Sequence, residues 1–525
     1  MKSVRLITAL LLLATLLGCL SACGGCNRTP TPPDDKTEEK TEPNTGGSAE
    51  VDEKEAYRPQ KEDMDNYKFR MLLDSGLGVH KKYYTFEEDS GKRTVLDDAF
   101  FSRNTYVEDL YNIQIEVKVL EGDSQYGLGT GGYLNQQVLT NTDFADVIFA
   151  VAQNIMKDAI AGGRVMDLRQ SKSINFDASY WDQRIQSAYA INGKLYTLEG
   201  DYSFYDELCT YVTFYSAKLW GEYNYYEKYG QPYDLVIDRK WTLDTMLEMI
   251  KDTSDVPLGT YPTQKNRVGA LVECPLPYIF YLGSGRTTIT HDDDGELKLM
   301  FSDTAAKQTA ERILSDVLRR VIGNREVLII DAARSKGGLD KEFGTAMKMF
   351  GNNQSLFYIP TLLSATWVEM DKDTVMGILP IPLYDKNQES YYSWTSSQSH
   401  LPMMIPVTAR KNFERITQIM ETLCYSSRYT ENSGMTVYEA QYEWFVDRKL
   451  TQTPKDREVL ELLFAERTYD LDFAMYITGV TSEVSYNFAR ERKTEGLYTV
   501  LSSLQGAAEA RLDDFLKDWK ANAKD

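Results

Sequence analysis

The sequence predicts an α/β fold. Strand-like and helix-like stretches alternate along the chain, the strand-like stretches have period-two alternation, and helix starts carry side chains suited to capping. Tyr67-Lys68-Phe69-Arg70-Met71 alternates apolar with polar residues, and Ile113-Gln114-Ile115-Glu116-Val117-Lys118-Val119 does so more strictly, as half-buried strands require. Between them Leu96, Phe100, Val107, Leu110 and Tyr111 recur at helical spacing. The order is thus β, α, β, and Val147-Ile148-Phe149-Ala150 supplies a third apolar strand. A helix from Thr242 gathers Leu243, Met246, Leu247 and Ile250 on one face. One from Asp303 gathers Ala306, Ala310, Ile313, Leu314 and Val317. Thr288-Ile289-Thr290 and Leu297-Lys298-Leu299, flanking Asp294-Gly295, predict a hairpin with a tight primed turn. The tail is helical, with Leu512, Phe515, Leu516 and Trp519 on one face.

The start of the chain reads differently. Lys2 and Arg5 precede an apolar block from Leu6 to Leu17, too short for the roughly 20 residues of a membrane span and shaped like a secretory signal. Leu20-Ser21-Ala22-Cys23 resembles the bacterial lipobox, which implies cleavage before Cys23 and lipidation of that cysteine; Leu16-Leu17-Gly18-Cys19 is a poorer match. Residues 24–65 are rich in Pro, Thr, Gly, Lys, Glu and Asp, too polar to fold, and read as a leash.

Composition narrows the function. A net charge of -20 over 525 residues argues against nucleic acid, because phosphate binding needs clustered Lys and Arg. Of six cysteines only Cys209, Cys274 and Cys424 lie in the body, too few for a disulfide framework, and they read as buried small apolar groups. The three histidines, His80, His291 and His400, give little material for a metal cluster or a Ser-His-Asp triad and read as surface or capping residues; His400, beside a chain crossing, is the one to watch. Gly127-Leu128-Gly129-Thr130-Gly131-Gly132 matches G-x-G-x-x-G but lacks the tight strand-to-helix turn a dinucleotide needs. The acidic run at His291–Glu296 has no Glu closing a calcium loop. No catalytic residue, metal or cofactor is assigned.

Five stretches in order, "VMDLRQ", "ASYWDQRIQSAYAINGKLYTLEGDYS", "TFYSAKLWGEY", "RKWTLDTMLEMIKD" and "VMGILPIPLYDKNQESYYS", resemble bacterial extracellular solute-binding lipoproteins of family 1, the sugar ABC-transporter type. The resemblance implies a periplasmic-binding-protein-like clamshell of type II, two α/β lobes joined by chain crossings. It places the signal at 1–22, the lipidated cysteine and linker at 23–65, lobe one at 66–197, lobe two at 198–380 with the first crossing near 198–214, a return to lobe one at 381–430, and C-terminal helices on lobe two at 431–525. It further implies a monomer, lipid-anchored on the extracellular face of the cell membrane, that delivers a small solute to the transmembrane subunits of an ABC permease.

Thirty-five tyrosines and seven tryptophans suit a carbohydrate ligand, since a sugar's apolar face packs on flat rings while carboxylates and amides bond its hydroxyls. The candidate ligand residues, at strand ends and crossings, are Asp74, Ser75, Gln153, Trp181, Asp201, Tyr202, Gly285, Trp367 and Trp394. A lipid-anchored glycosidase, which needs two carboxylates, and a ligand-sensing lipoprotein are the alternatives.

Overall fold

A computed structural model describes residues 57–74, 94–120, 132–273, 275–331, 344–366, 376–429, 434–447 and 454–522. Cys19, Cys23, Ser75, His80, Cys274, Trp367 and most of the glycine-rich loop lie outside these residues. Two sheets organise the described chain. The first contains β1 (Tyr67–Leu73), β2 (Ile113–Val119), β3 (Val147–Phe149) and, far downstream, β12 (Met403–Met404), in the order β12-β3-β1-β2. β1 pairs parallel with β2 and β3, and β12 runs antiparallel to β3.

The second sheet contains β4 (Thr213–Ser216), β5 (Val268–Val272), β8 (Val327–Ile329), β9 (Ser355–Ile359) and β10 (Met376–Leu379), in the order β10-β4-β9-β5-β8. β5 is parallel to β8 and β9, while β4 is antiparallel to β9 and β10. Every residue of these strands is buried, as expected of a sheet covered on both faces. The predicted α/β class and two-sheet architecture therefore hold.

Local chemistry sets the helix starts. Thr94 caps the helix α1 (Val95–Tyr111) with Asp97 in a reciprocal capping box, and Asn112 ends it in the left-handed region at φ 48°, where Asn is tolerated. Thr242 accepts from the Thr245 amide and Asp303 from the Ala305 and Ala306 amides, so both predicted caps form. The predicted apolar faces are buried, with Ala306 and Leu516 at their margins.

The predicted hairpin is present as β6 (Ile289–His291) and β7 (Leu297–Leu299), but its turn differs. Gly295 has positive φ, at 77°, but Asp294 does not, whereas either primed turn through Asp294-Gly295 needs it at the first of the two positions. Instead the Asp292 carboxylate accepts from the Asp294 and Glu296 amides, and the Asp292 amide donates to the Glu296 carbonyl. The wider loop lets one side chain satisfy two backbone donors.

Among the described residues the chain passes between the sheets three times, and the passages are laced side by side. The first, from Tyr205 to Val212, leads into β4; the second, including β11 (Ser393–Trp394), runs on to His400 and β12; the third holds β13 (Arg467–Thr468). Tyr211 N donates to Trp394 O at 2.8 Å and Ser396 N to Cys209 O at 2.9 Å on one side of the middle passage. On the other, β11 pairs parallel with β13, and Thr395 N donates to Thr468 O at 2.9 Å.

The C-terminal helices, expected on lobe two, are divided between the two sheets. Val437–Asp447 packs on α1 of the first sheet, and Leu497–Asn522 packs on both Ala152–Ala161 and Thr304–Val317. Pro454–Ala465 lies against β10 and Pro232–Ile237 of the second sheet, and Glu483–Phe488 packs on Leu276–Gly283, the helix that follows β5. An amphipathic face demands burial without naming the surface that supplies it.

Candidate ligand cleft

In open α/β sheets ligands meet the carboxyl ends of the strands. At that edge of the first sheet stand Asp74 after β1 and Gln153 after β3. Asp74 is buried, and its amide donates to Phe149 O at 2.8 Å. At the matching edge of the second sheet stand Glu273 after β5, Asp331 beyond β8, Thr361 after β9 and Tyr211 before the antiparallel β4. The middle passage joins the two edges. Its Trp394 carbonyl accepts from Tyr211 N, its Ser397 carbonyl from Gln153 N at 3.0 Å, and its His400 carbonyl from Ala152 N at 3.3 Å.

The side chains at this junction combine flat rings with hydrogen-bonding groups. Tyr211 stacks on Trp394 with centroids 5.2 Å apart and planes 7° from parallel, and Trp394 in turn packs on Phe473 at 4.5 Å. The Tyr211 hydroxyl donates to Glu273 Oε2 at 3.0 Å. Gln398 Nε2 donates to the Tyr486 hydroxyl at 2.8 Å, with Tyr476 beside them. Glu273, Asp331, Gln398 and Tyr486 are half-buried and Tyr476 is exposed. Burial raises the Glu273 carboxyl to about 7; its bond from Tyr211 lowers it and Asp331 raises it. Gln153 Nε2 and Trp394 Nε1 are buried with no hydrogen-bond partner among the described residues.

Two buried polar networks brace the passages. His400 is wholly buried, contrary to the surface or capping role expected of it: its Nδ1 lies 3.0 Å from Glu199 Oε1 and its Nε2 3.1 Å from the Tyr189 hydroxyl. Burial lowers His400 to about 3, and burial followed by the nearby Asp206 pushes Glu199 well up. Both shifts favour the neutral form of the pair, despite a spacing that would suit an ion pair. The second network surrounds Arg467, which lies 2.5 Å from Asp182, 2.9 Å from Asp206 and 3.0 Å from Glu207.

The sequence-predicted ligand residues separate into groups. Asp74, Gln153 and Trp394 come together at the junction. Trp394 is 0% exposed and so forms part of the core. Trp181 and Asp201 line a different concavity of about 380 Å³ beside the Arg467 network. There Trp181 Nε1 donates to Glu421 at 2.7 Å and Asp201 pairs with Arg428 at 2.6 Å. Tyr202 is buried, with its hydroxyl 3.3 Å from Glu199. Gly285 follows the helix Leu276–Gly283 at φ 75°, its amide bonded to Leu282 O, and a Cβ there would lie 2.6 Å from the Tyr392 ring. Sequence reasoning missed Tyr211, Glu273, Asp331, Gln398 and Tyr486. Glu273 and Asp331 each follow an apolar strand-like run, Val268–Val272 and Val327–Ile329, and that position was the available signal.

No protein-family model and no curated protein matches the chain. It is similar to several solved structures. A Listeria monocytogenes ABC substrate-binding protein in complex with cycloalternan has a TM-score of 0.47 at 14% identity, covering 86% of this chain and 99% of that one. Maltose-bound MalE3 of T. maritima has 0.45 at 13%, with the same coverages. A family 1 extracellular solute-binding protein from Bifidobacterium longum subsp. infantis has 0.44 at 12%, covering 87% and 99%.

Proposed function

We propose that this chain is an extracellular solute-binding receptor that captures a carbohydrate, an oligosaccharide by preference, between its two α/β lobes and delivers it to an ABC permease. The observation that carries the reading is the junction of the two carboxyl edges, where Glu273 and Gln398 and the accessible rings of Tyr476 and Tyr486 stand over the buried Tyr211–Trp394 stack. Rings beside carboxyl and amide groups recognise the two kinds of surface a sugar presents. A ligand touching both lobes favours the closed arrangement, because only there are both sets of contacts made. In this reading Cys23 carries the lipid anchor, residues 24–65 form the leash, and the receptor works as a monomer without a cofactor.

Thermal unfolding against a panel of mono- and oligosaccharides, with the mixtures then assayed for hydrolysis, tests the proposal. A ligand at about a hundred times its dissociation constant adds roughly 2.7 kcal/mol to the native state. Stabilisation by one sugar class without cleavage supports the receptor; no stabilisation by any sugar removes carbohydrate from it. One observation favours a glycosidase instead: a carboxyl raised to about 7 near a second carboxylate, Asp331, is the pattern of a general acid. Product formation would decide for that reading.

A further inference from the structure

Arg103, on α1, is only 6% exposed, and its four hydrogen bonds go to neutral acceptors: Tyr202 O at 2.5 Å, Ser427 Oγ at 2.9 Å, and Asn104 Oδ1 at 3.0 and 2.7 Å. No carboxylate among the described residues pairs with it. Burial lowers its pKa to about 10, so the guanidinium is charged at neutral pH. An unpaired buried charge is costly, and with five N–H groups Arg103 retains an unused donor. Beside it lies Ser426, 5% exposed, whose Oγ has no hydrogen-bond partner among the described residues.

Both side chains line a concavity of about 100 Å³ walled by Tyr106, Tyr425 and Met435. That volume exceeds the ~30 Å³ share of one water molecule in the liquid. Among the described residues, a cation that meets the Phe100 ring at 4.9 Å but no carboxylate, a buried hydroxyl without a partner and a small cavity agree in sign and size.

We propose that this concavity on the first lobe, between α1 and the helix Phe413–Arg428, is a binding site for a small oxyanion, a phosphate or sulfate group, held by Arg103 and Ser426. The site shares no residue with the cleft. Because Arg103 also bonds the Tyr202 carbonyl just before the first passage, the bound anion offsets the charge of a group that anchors that passage. The phosphate could come from free solution or from a lipid headgroup.

The test is isothermal titration calorimetry of the full chain with sulfate, inorganic phosphate and glycerol phosphate, against chloride at matched ionic strength. The expected result is saturable oxyanion binding, weakened roughly tenfold in Ser426→Ala, as for loss of one charge-assisted hydrogen bond, and also weakened in Arg103→Lys, which keeps the charge but loses the planar fork. Tighter binding of glycerol phosphate would assign the anion to a headgroup and tighter binding of inorganic phosphate to the free ion; either supports the site. Absence of saturable binding beyond chloride, or unchanged affinity in Ser426→Ala, overturns it. Sugar-induced stabilisation is expected to be the same in Ser426→Ala and wild type, so failure here and failure of the cleft are distinguishable.

Discussion

Replacing Glu273 with Gln tests how the cleft edge is built. Burial lifts the carboxyl from its ordinary 4.5 to about 7, with Tyr211 opposing and Asp331 adding to the shift. A raised carboxyl holds its proton longer in the folded than in the unfolded state, so stability falls as pH rises between those two values and levels off above the higher one. Integrated over that interval, wild type loses about 2–3 kcal/mol through this group between about pH 5 and about pH 8. In Glu273→Gln the amide oxygen can still accept from the Tyr211 hydroxyl, but nothing titrates. Urea unfolding of both proteins at the two pH values gives a double difference in which other buried acids, Asp470 among them, cancel. The variant is expected to lose about 2–3 kcal/mol less than wild type over this range. Identical pH dependence in the two proteins would refute the raised carboxyl.

Two further substitutions probe the passages. Arg467→Met leaves Asp182, Asp206 and Glu207 without their shared cation, and is expected to cost about 3–5 kcal/mol in urea unfolding; a cost below about 1 kcal/mol would mean the cluster is solvated. Trp394→Ala removes a wholly buried ring between Tyr211 and Phe473, and is expected to cost about 3–5 kcal/mol; unchanged stability with lost sugar binding would place the ring in the ligand site and outside the core.

What the sequence revealed depended on how far apart the partners lie. Thr242 and Asp303 cap amides two or three residues away, so the cap and its target were both in view. The alternation of 113–119 likewise exposed β2, because period two is a property of the strand itself. His400 was misjudged because its partners, Glu199 and Tyr189, are 201 and 211 residues distant. The cleft was half legible: Asp74 and Gln153 follow strands that alternation or an apolar run made plain, whereas Tyr211 gains its place only through pairing with Trp394 across the passages. The hairpin turn was misread because Asp-Gly suits a primed turn, while the adjacent Asp292 made a wider loop the better-bonded one.

The three laced passages bear on the order in which the molecule can be built. During synthesis the first sheet must wait for its edge strand, β12, and for the helices Phe413–Arg428 and Val437–Asp447 that cover α1. The whole second sheet, β4 through β10, precedes them along the chain. A nascent chain stopped before Met403 therefore holds a second sheet with all its strands and a first sheet lacking an edge. Open sheet edges and uncovered apolar faces are what promote association of partly folded chains. For this chain the vulnerable interval of folding falls late, and it closes only after the segment that began the fold has been rejoined by its last pieces.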